Sequence, residues 1–270
     1  MIRRPAVAGR FYPSGAQELS EQVERFSREP GTTQKRIARA CVVPHAGYMY
    51  SGHVAGAVYG SIEIPSRCVL IGPRHFPRGE SMAILTEGGF ETPFGTAAID
   101  APLAQAIAHA CPKLRDDAVA HEREHSLEVQ LPFLQRLAPP DFRFVPVVLA
   151  TDRYGALEEL GQAIAAVVAE RDERILLIAS SDMNHYEDDA TTRVKDELAI
   201  ARVLALDPQG LYDTVRANSI SMCGYAATVA TLVAARALGA QNGELIRYAT
   251  SGEVSGDFEQ VVGYAGMVIR

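Results

Sequence analysis

Of the 270 residues only four are cysteine, at positions 41, 68, 111 and 223, and no two are spaced as a CxxC pair. That argues against a disulfide framework and against a structural zinc site. Cys41 and Cys68 fall inside apolar runs and read as core residues. Basic residues are also in deficit: 26 Lys and Arg face 33 Asp and Glu, for a net charge of −7. No face is therefore expected to follow a phosphate backbone, and nucleic acid is not an expected partner. No apolar run approaches the ~20 residues that span a bilayer. Met1-Ile2-Arg3-Arg4-Pro5 is followed by no signal-like apolar stretch, so a cytoplasmic protein without membrane contact is expected. G-x-G-x-x-G and P-loop patterns are missing too, which makes a nucleotide cofactor unexpected. Without repeats, low-complexity tracts or Gly/Ser linkers, residues 1–270 read as one domain.

What the chain does contain is one arrangement used three times. Arg39-Ala40-Cys41-Val42-Val43 is a short apolar run that ends abruptly in Pro44-His45-Ala46-Gly47. Cys68-Val69-Leu70-Ile71 ends in Gly72-Pro73-Arg74-His75, and Ile175-Leu176-Leu177-Ile178 ends in Ser180-Ser181-Asp182-Met183-Asn184-His185. Buried parallel strands read as continuous apolar runs. Ligands of open α/β sheets bind beyond the carboxyl ends of the strands. Three strands that end in imidazoles, hydroxyls and a carboxylate therefore point to one convergent site.

The remaining pattern supports that frame. Residues 5–13 suit a short strand or extended arm. Ser14 with Gln17 has the spacing of a capping box before a helix striped by Leu19, Val23 and Phe26. A polar stretch at Pro30-Gly31-Thr32-Thr33 precedes the first central strand. Helices are expected over 51–61, 101–110, around 157–167, near 193–205 and over 224–238. Strands are expected at 143–149, 245–250 and 262–269, and a hairpin-like excursion from 82–86 and 96–99. Alternating β and α signals of this kind favour an α/β domain with a central, mainly parallel or mixed sheet flanked by helices.

Imidazole is the commonest metal ligand, and His45 and His75 each follow a strand directly, so a shared metal or catalytic site is expected there. Asp182 and His185 are spaced to form an acid/base pair or a brace behind a ligand. Cys223 precedes a long apolar helix, where a lowered thiol pKa would favour metal binding or nucleophilic attack. A competing motif is His121-Glu122-Arg123-Glu124-His125, the H-E-x-x-H pattern of zinc hydrolases. Its setting is charged, and Pro132 limits any continuing helix, so His121 is expected to be solvated.

Several segments together resemble a known family. They are residues 5–13 (PAVAGRFYP), 44–52 (PHAGYMYSG), 72–75 (GPRH), 124–128 (EHSLE) with Leu131-Pro132, Ser180-Ser181-Asp182 with His185, and Cys223-Gly224. In order, and over nearly the whole chain, they are similar to the Memo family, in prokaryotes also labelled AmmeMemoRadiSam system protein B. The resemblance implies an α/β fold similar to class III extradiol dioxygenases of the LigB type, which hold non-haem Fe(II) with two histidines and a glutamate. The positions that look equivalent are His45, His75 and Cys223, so a thiolate stands where a carboxylate is expected. A divalent metal is implied, Fe(II) first, with Zn or Cu as alternatives that a soft thiolate also suits. The resemblance places Asp182, His185 and Tyr50 in the pocket, with Phe11 where some relatives carry Trp. His185 is then expected as a base oriented by Asp182, and His125 as a hydrogen-bond donor to bound oxygen or substrate. Tyr50 and Phe11 would meet the substrate, a small molecule or a peptide. Of the H-E-x-x-H histidines only His125 belongs to the family pattern. Two functions follow: a metal-dependent redox enzyme, or a non-catalytic module holding a peptide or phospho-ligand in the same cleft, as Memo relatives in animals are linked to phosphotyrosine signalling. The family label also implies a link to a radical-SAM protein.

Overall fold

The computed structural model describes residues 1–28 and 35–270; the polar stretch at Pro30–Thr33 lies outside the described residues. The chain opens with a two-residue strand, β1 (Ile2–Arg3), and an arm that leads to helix α1 (Ala16–Ser27). Leu19 and Val23 of α1 are buried, as the apolar stripe requires. The capping box does not form: Gly15 is the N-cap and no side chain caps the helix. Strand β2 (Ala40–Val43) is buried throughout, and after Pro44-His45-Ala46-Gly47 the chain turns into α2 (Tyr48–Ser61). Glycine in α2 permits close approach, since a Cβ on Gly56 would meet the Phe26 backbone at 2.5 Å. Helix α1 can therefore lie directly on α2.

Strand β3 (Arg67–Pro73) carries the chain to His75. The expected hairpin is rearranged. β5 (Gly89–Thr92) and β6 (Gly95–Ile99) form it, while β4 (Met82–Ile84) pairs with other strands. Gly95, at a φ of 95°, and Pro93 supply the turn chemistry of the hairpin at 93–94. Helix α3 (Ala101–Ala110) is capped by Asp100, whose Oδ1 accepts from Leu103 N at 3.0 Å. A short strand β7 (Arg115–Asp116), a one-turn helix α4 (Ala118–His121), a 3-10 turn (Glu128–Gln130) and helix α5 (Leu131–Leu137) follow.

The second half alternates regularly: β8 (Arg143–Leu149), α6 (Tyr154–Ala169), β9 (Ile175–Ser180), a short β10 (His185–Glu187), then α7 (Asp189–Leu204). Helix α8 (Pro208–Ala217) was not expected from the sequence, although Asp207 caps it and Pro208 opens it. Helix α9 (Tyr225–Ala237) is buried along nearly its whole length, as its composition of small apolar residues implies. Strand β11 (Gly243–Thr250), a one-turn α10 (Gly252–Ser255) and β12 (Val261–Ile269) complete the chain.

Among the described residues twelve strands form one sheet in the order β1-β5-β6-β8-β3-β9-β2-β12-β10, with β11 on β12 and β4 on β8 and β7. From β6 through β8, β3 and β9 to β2 the neighbours are parallel; β12 then pairs antiparallel with β2. The fold is thus α/β with a mixed, mainly parallel sheet flanked by helices, as expected. One detail positions the site. β9 lies between β2 and β3, so the two histidine-bearing strands sit about 10 Å apart with the Asp182-bearing strand between them. All three run in the same direction and deliver their loops at one edge.

Candidate metal centre

His45, His75 and His125 offer three ring nitrogens that all lie within 4.8 Å of one another. His45 arrives from β2 and His75 from β3. His125 comes from the turn after α4, which folds back over the carboxyl edge of the sheet. The ring centroids of His45 and His75 are 5.2 Å apart, and those of His75 and His125 are stacked at 4.6 Å.

The far sides of two rings, His75 and His45, explain why their near nitrogens carry lone pairs. Glu124 is almost fully buried, and its Oε1 accepts from His75 Nδ1 at 2.9 Å and from Ser126 N at 2.8 Å. Its Oε2 accepts from the His75 backbone N–H at 2.5 Å. A carboxylate only accepts, so His75 Nδ1 carries the proton and Nε2 keeps the lone pair. His45 reaches the same state by a longer route. Ser180 Oγ gives its one proton to the Ser126 carbonyl at 2.6 Å and accepts from Gln130 Nε2 at 2.9 Å. It must therefore accept from His45 Nδ1, 3.0 Å away, which leaves the ring's lone pair on Nε2 as well. Histidines that ligate metals are oriented in this way, with one nitrogen donated to a fixed partner.

Electrostatics agree. Burial, with the neighbouring His75, pulls His45 down to about 3. Burial and the nearby His45 take His125 down to about 4, so both rings are neutral. For the partly exposed His75, burial works downward, but the hydrogen bond and charge of Glu124 outweigh it and the pKa is raised. Glu124 would be raised by burial alone, yet the His75 hydrogen bond and charge hold it at about 2. Two neutral imidazoles and a third backed by one buried anion fit a divalent cation well.

These residues form the floor of an open cleft of about 660 Å³. Phe11, Tyr50, Asp182, His185 and Cys223 line it too, so the structure brings every site residue of the family resemblance to one cleft and leaves His121 outside it. Phe11 sets its ring edge against His125 at 4.8 Å. Cys223 meets the imidazole group at one point, its Sγ lying 3.2 Å from His45 Nε2. Asp182 Oδ1 accepts from the His45 backbone N–H at 2.7 Å, and burial raises its pKa.

Four expectations need correction. Asp182 does not orient His185, because it is engaged with His45 while His185 Nδ1 bonds the Ser221 carbonyl at 2.9 Å. Burial pushes the Cys223 thiol up rather than down; the short distance to α9 does not compensate for desolvation. His121 is buried, not solvated, and neither ring nitrogen finds a hydrogen-bond partner among the described residues. The zinc-hydrolase reading through His121 and His125 fails with it. α4 ends at His121, which packs near Phe90, while His125 stands in the cleft, so no helix face unites the two. Gln130 carried no site signal in the sequence, and Glu124 and Ser180 stood there only within motifs, without their roles behind His75 and His45.

A family model described as "Memo-like protein" matches residues 3–268 of the chain. A MEMO1 family protein of Methanopyrus kandleri is 43% identical over 281 residues, covering 100% of this chain and 99% of the relative. One of Aquifex aeolicus is 40% identical, covering 99% and 98%. Among solved structures, an uncharacterized protein of Escherichia coli K12 matches with a TM-score of 0.59 at 14% identity, covering 86% of this chain and all of that one. That likeness concerns the fold alone.

Proposed function

The chain belongs to the Memo-like protein family, and on that premise we propose that its cleft is a divalent-metal site, taking Fe(II), that serves redox chemistry on a small molecule or peptide. The observation that carries this reading is the group of three imidazole nitrogens within 4.8 Å, two of them fixed from behind as lone-pair donors. His45, His75 and His125 would hold the metal, with the Cys223 thiol as a fourth donor beside His45. Bound Fe(II) would supply one-electron chemistry and an open Lewis-acidic side; the same donors accept Zn or Cu.

The chain's own groups do the rest. Glu124 keeps His75 and the turn bearing His125 in place. Phe11, Tyr50 and Tyr264 wall the cleft with aromatic surface beside the imidazoles. His185 stands on the wall as a proton-transfer group. A second reading, a module that holds an aromatic or phosphorylated peptide without chemistry, has one observation in its favour. Arg10 at the cleft forms no ion pair among the described residues and is free to meet an anion.

The test is metal analysis of protein purified without oxygen, alongside His75→Ala, His125→Ala and Cys223→Ala. About one metal per chain is expected in the natural protein, with strong loss in both histidine variants and a smaller loss in the thiol variant. Metal content that is negligible, or equal in all four, would overturn the reading. Oxygen consumption by the iron-loaded protein separates the redox enzyme from the binding module.

A further inference from the structure

The ring of His185 is oriented by a backbone group. Its Nδ1 lies 2.9 Å from the Ser221 carbonyl oxygen. A carbonyl accepts and never donates, so Nδ1 carries the proton and the neutral ring keeps its lone pair on Nε2. The Ser221 segment is itself fixed. Ser221 N and Oγ both donate to Asn184 Oδ1, at 3.1 and 3.0 Å, and Oγ accepts from the His185 backbone N–H at 2.7 Å. Asn184 is fully buried and its amide cannot turn over. Its Nδ2 donates to Glu187 Oε2 at 2.6 Å, a carboxylate that would not suit an oxygen in its place, and reaches Thr192 Oγ1 at 3.3 Å. The backbone of Asn184 is held as well, N–H to Asp196 Oδ1 at 2.8 Å and C=O from Gly263 N at 2.9 Å. Just beyond His185, Tyr186 adopts φ 61°, a conformation a bulky residue keeps only under constraint.

We propose that Asn184 and Ser221 are positioning residues that lock His185 in the Nδ1–H tautomer, which makes its Nε2 the proton acceptor for an acidic O–H or N–H of a ligand in the cleft. This role rests on reading the cleft as an active site. The proton passes from the ligand to Nε2, the ligand stays behind as an anion, and the imidazolium is stabilised by the Nδ1–H bond to Ser221. Nδ1 is committed to that carbonyl, so the ring cannot present its other nitrogen without breaking the clamp.

The tautomer can be read directly. Metal-free, 15N-labelled protein is examined by long-range proton–nitrogen NMR at a pH where His185 is neutral, with its signals assigned by their loss in His185→Gln. A protonated, pyrrole-like Nδ1 and a pyridine-like Nε2 are expected. An Nε2–H tautomer, or an average of the two, overturns the proposal. Ser221 is exposed, so Ser221→Ala and Ser221→Thr should fold with an unchanged melting temperature. Ser221→Thr should keep the tautomer, and Ser221→Ala should shift it toward the average; no change in Ser221→Ala removes the hydroxyl from the proposed role. Since no metal is in the sample, the two readings fail separately. The expected tautomer in a chain that binds no metal sinks only the metal reading, and the wrong tautomer in a metal-binding chain sinks only this one.

Discussion

Cys223 Sγ and His45 Nε2, 178 residues apart in the chain, lie 3.2 Å from each other. With His45 Nδ1 engaged at Ser180, its Nε2 can only accept, so in the metal-free protein the thiol must be the donor. The pair is then S–H to neutral imidazole rather than thiolate to imidazolium, consistent with burial raising the one pKa and lowering the other.

Alkylation of Cys223 should consequently be slow at pH 7 in metal-free protein, and faster only well above the usual thiol pKa. Cys41, Cys68 and Cys111 are buried, so the rate measured with iodoacetamide on the folded chain reports Cys223 alone. Rapid modification at neutral pH would show a thiolate and contradict the donor assignment.

Glu124→Gln should weaken metal binding by about 10–100-fold, the usual effect of removing an outer partner of a ligating histidine. The amide oxygen can still accept from the two donors at Oε1, but the amide nitrogen in the place of Oε2 cannot accept from the His75 backbone N–H. It also takes away the charge that raises His75. Titration of metal-free protein with Fe(II) or Zn(II) measures this, and an unchanged affinity would mean that Glu124 only shapes the turn.

The N-terminal arm hangs on one carboxylate. Glu128, fully buried, accepts from Arg3 at 2.7 Å, Ala6 N at 2.7 Å, Val7 N at 3.0 Å and Tyr12 OH at 2.7 Å. Arg3 in turn donates to the carbonyls of His121 and Glu124 at 2.6 and 2.5 Å, tying the arm to the turn before His125. Either Arg3→Ala or Glu128→Ala leaves a buried charge without its partner and should cost about 3–5 kcal/mol. The double variant should cost clearly less than the sum. Chemical denaturation of metal-free protein supplies the cycle; strict additivity would show that the two charges do not depend on each other.

The legible parts of this protein were those in which a short sequence window carries its own physical signal. β2, β3, β8 and β9 announce themselves as apolar runs because both faces of the sheet's centre are covered. The loops after β2, β3 and β9 could be joined into one site because parallel strands share an edge. What was hidden depends on groups distant in sequence. Whether Cys223 ionises is decided by how deeply the fold buries it, which no spacing near α9 reveals. Asp182 and His185 look like a pair at three residues' separation, but the loop sends one toward His45 and the other toward Ser221. His121 sits in a charged segment that reads as solvated, yet Arg3 from the far end of the chain covers it.

Asp196 gives a prediction about pH. Burial raises its carboxyl to about 7 from an ordinary 3.8, against the opposing effect of hydrogen bonds from Tyr248 OH and Asn184 N. Between pH 4 and 7 the folded chain therefore holds this proton more tightly than the unfolded chain. Since stability rises with pH only where the unfolded state binds more protons, this group makes stability fall as pH climbs through that window. Its contribution is most favourable below about pH 4, and the penalty is complete above about pH 7, on the order of 4 kcal/mol at its ceiling. Asp196→Asn keeps an acceptor for Asn184 N and removes the titration. The variant's melting temperature relative to the natural protein should thus improve from pH 5 to pH 8. A difference between the two that stays constant with pH would mean that Asp196 is ionised throughout, and that Tyr248 and Asn184 solvate its charge well enough to cancel the effect of burial.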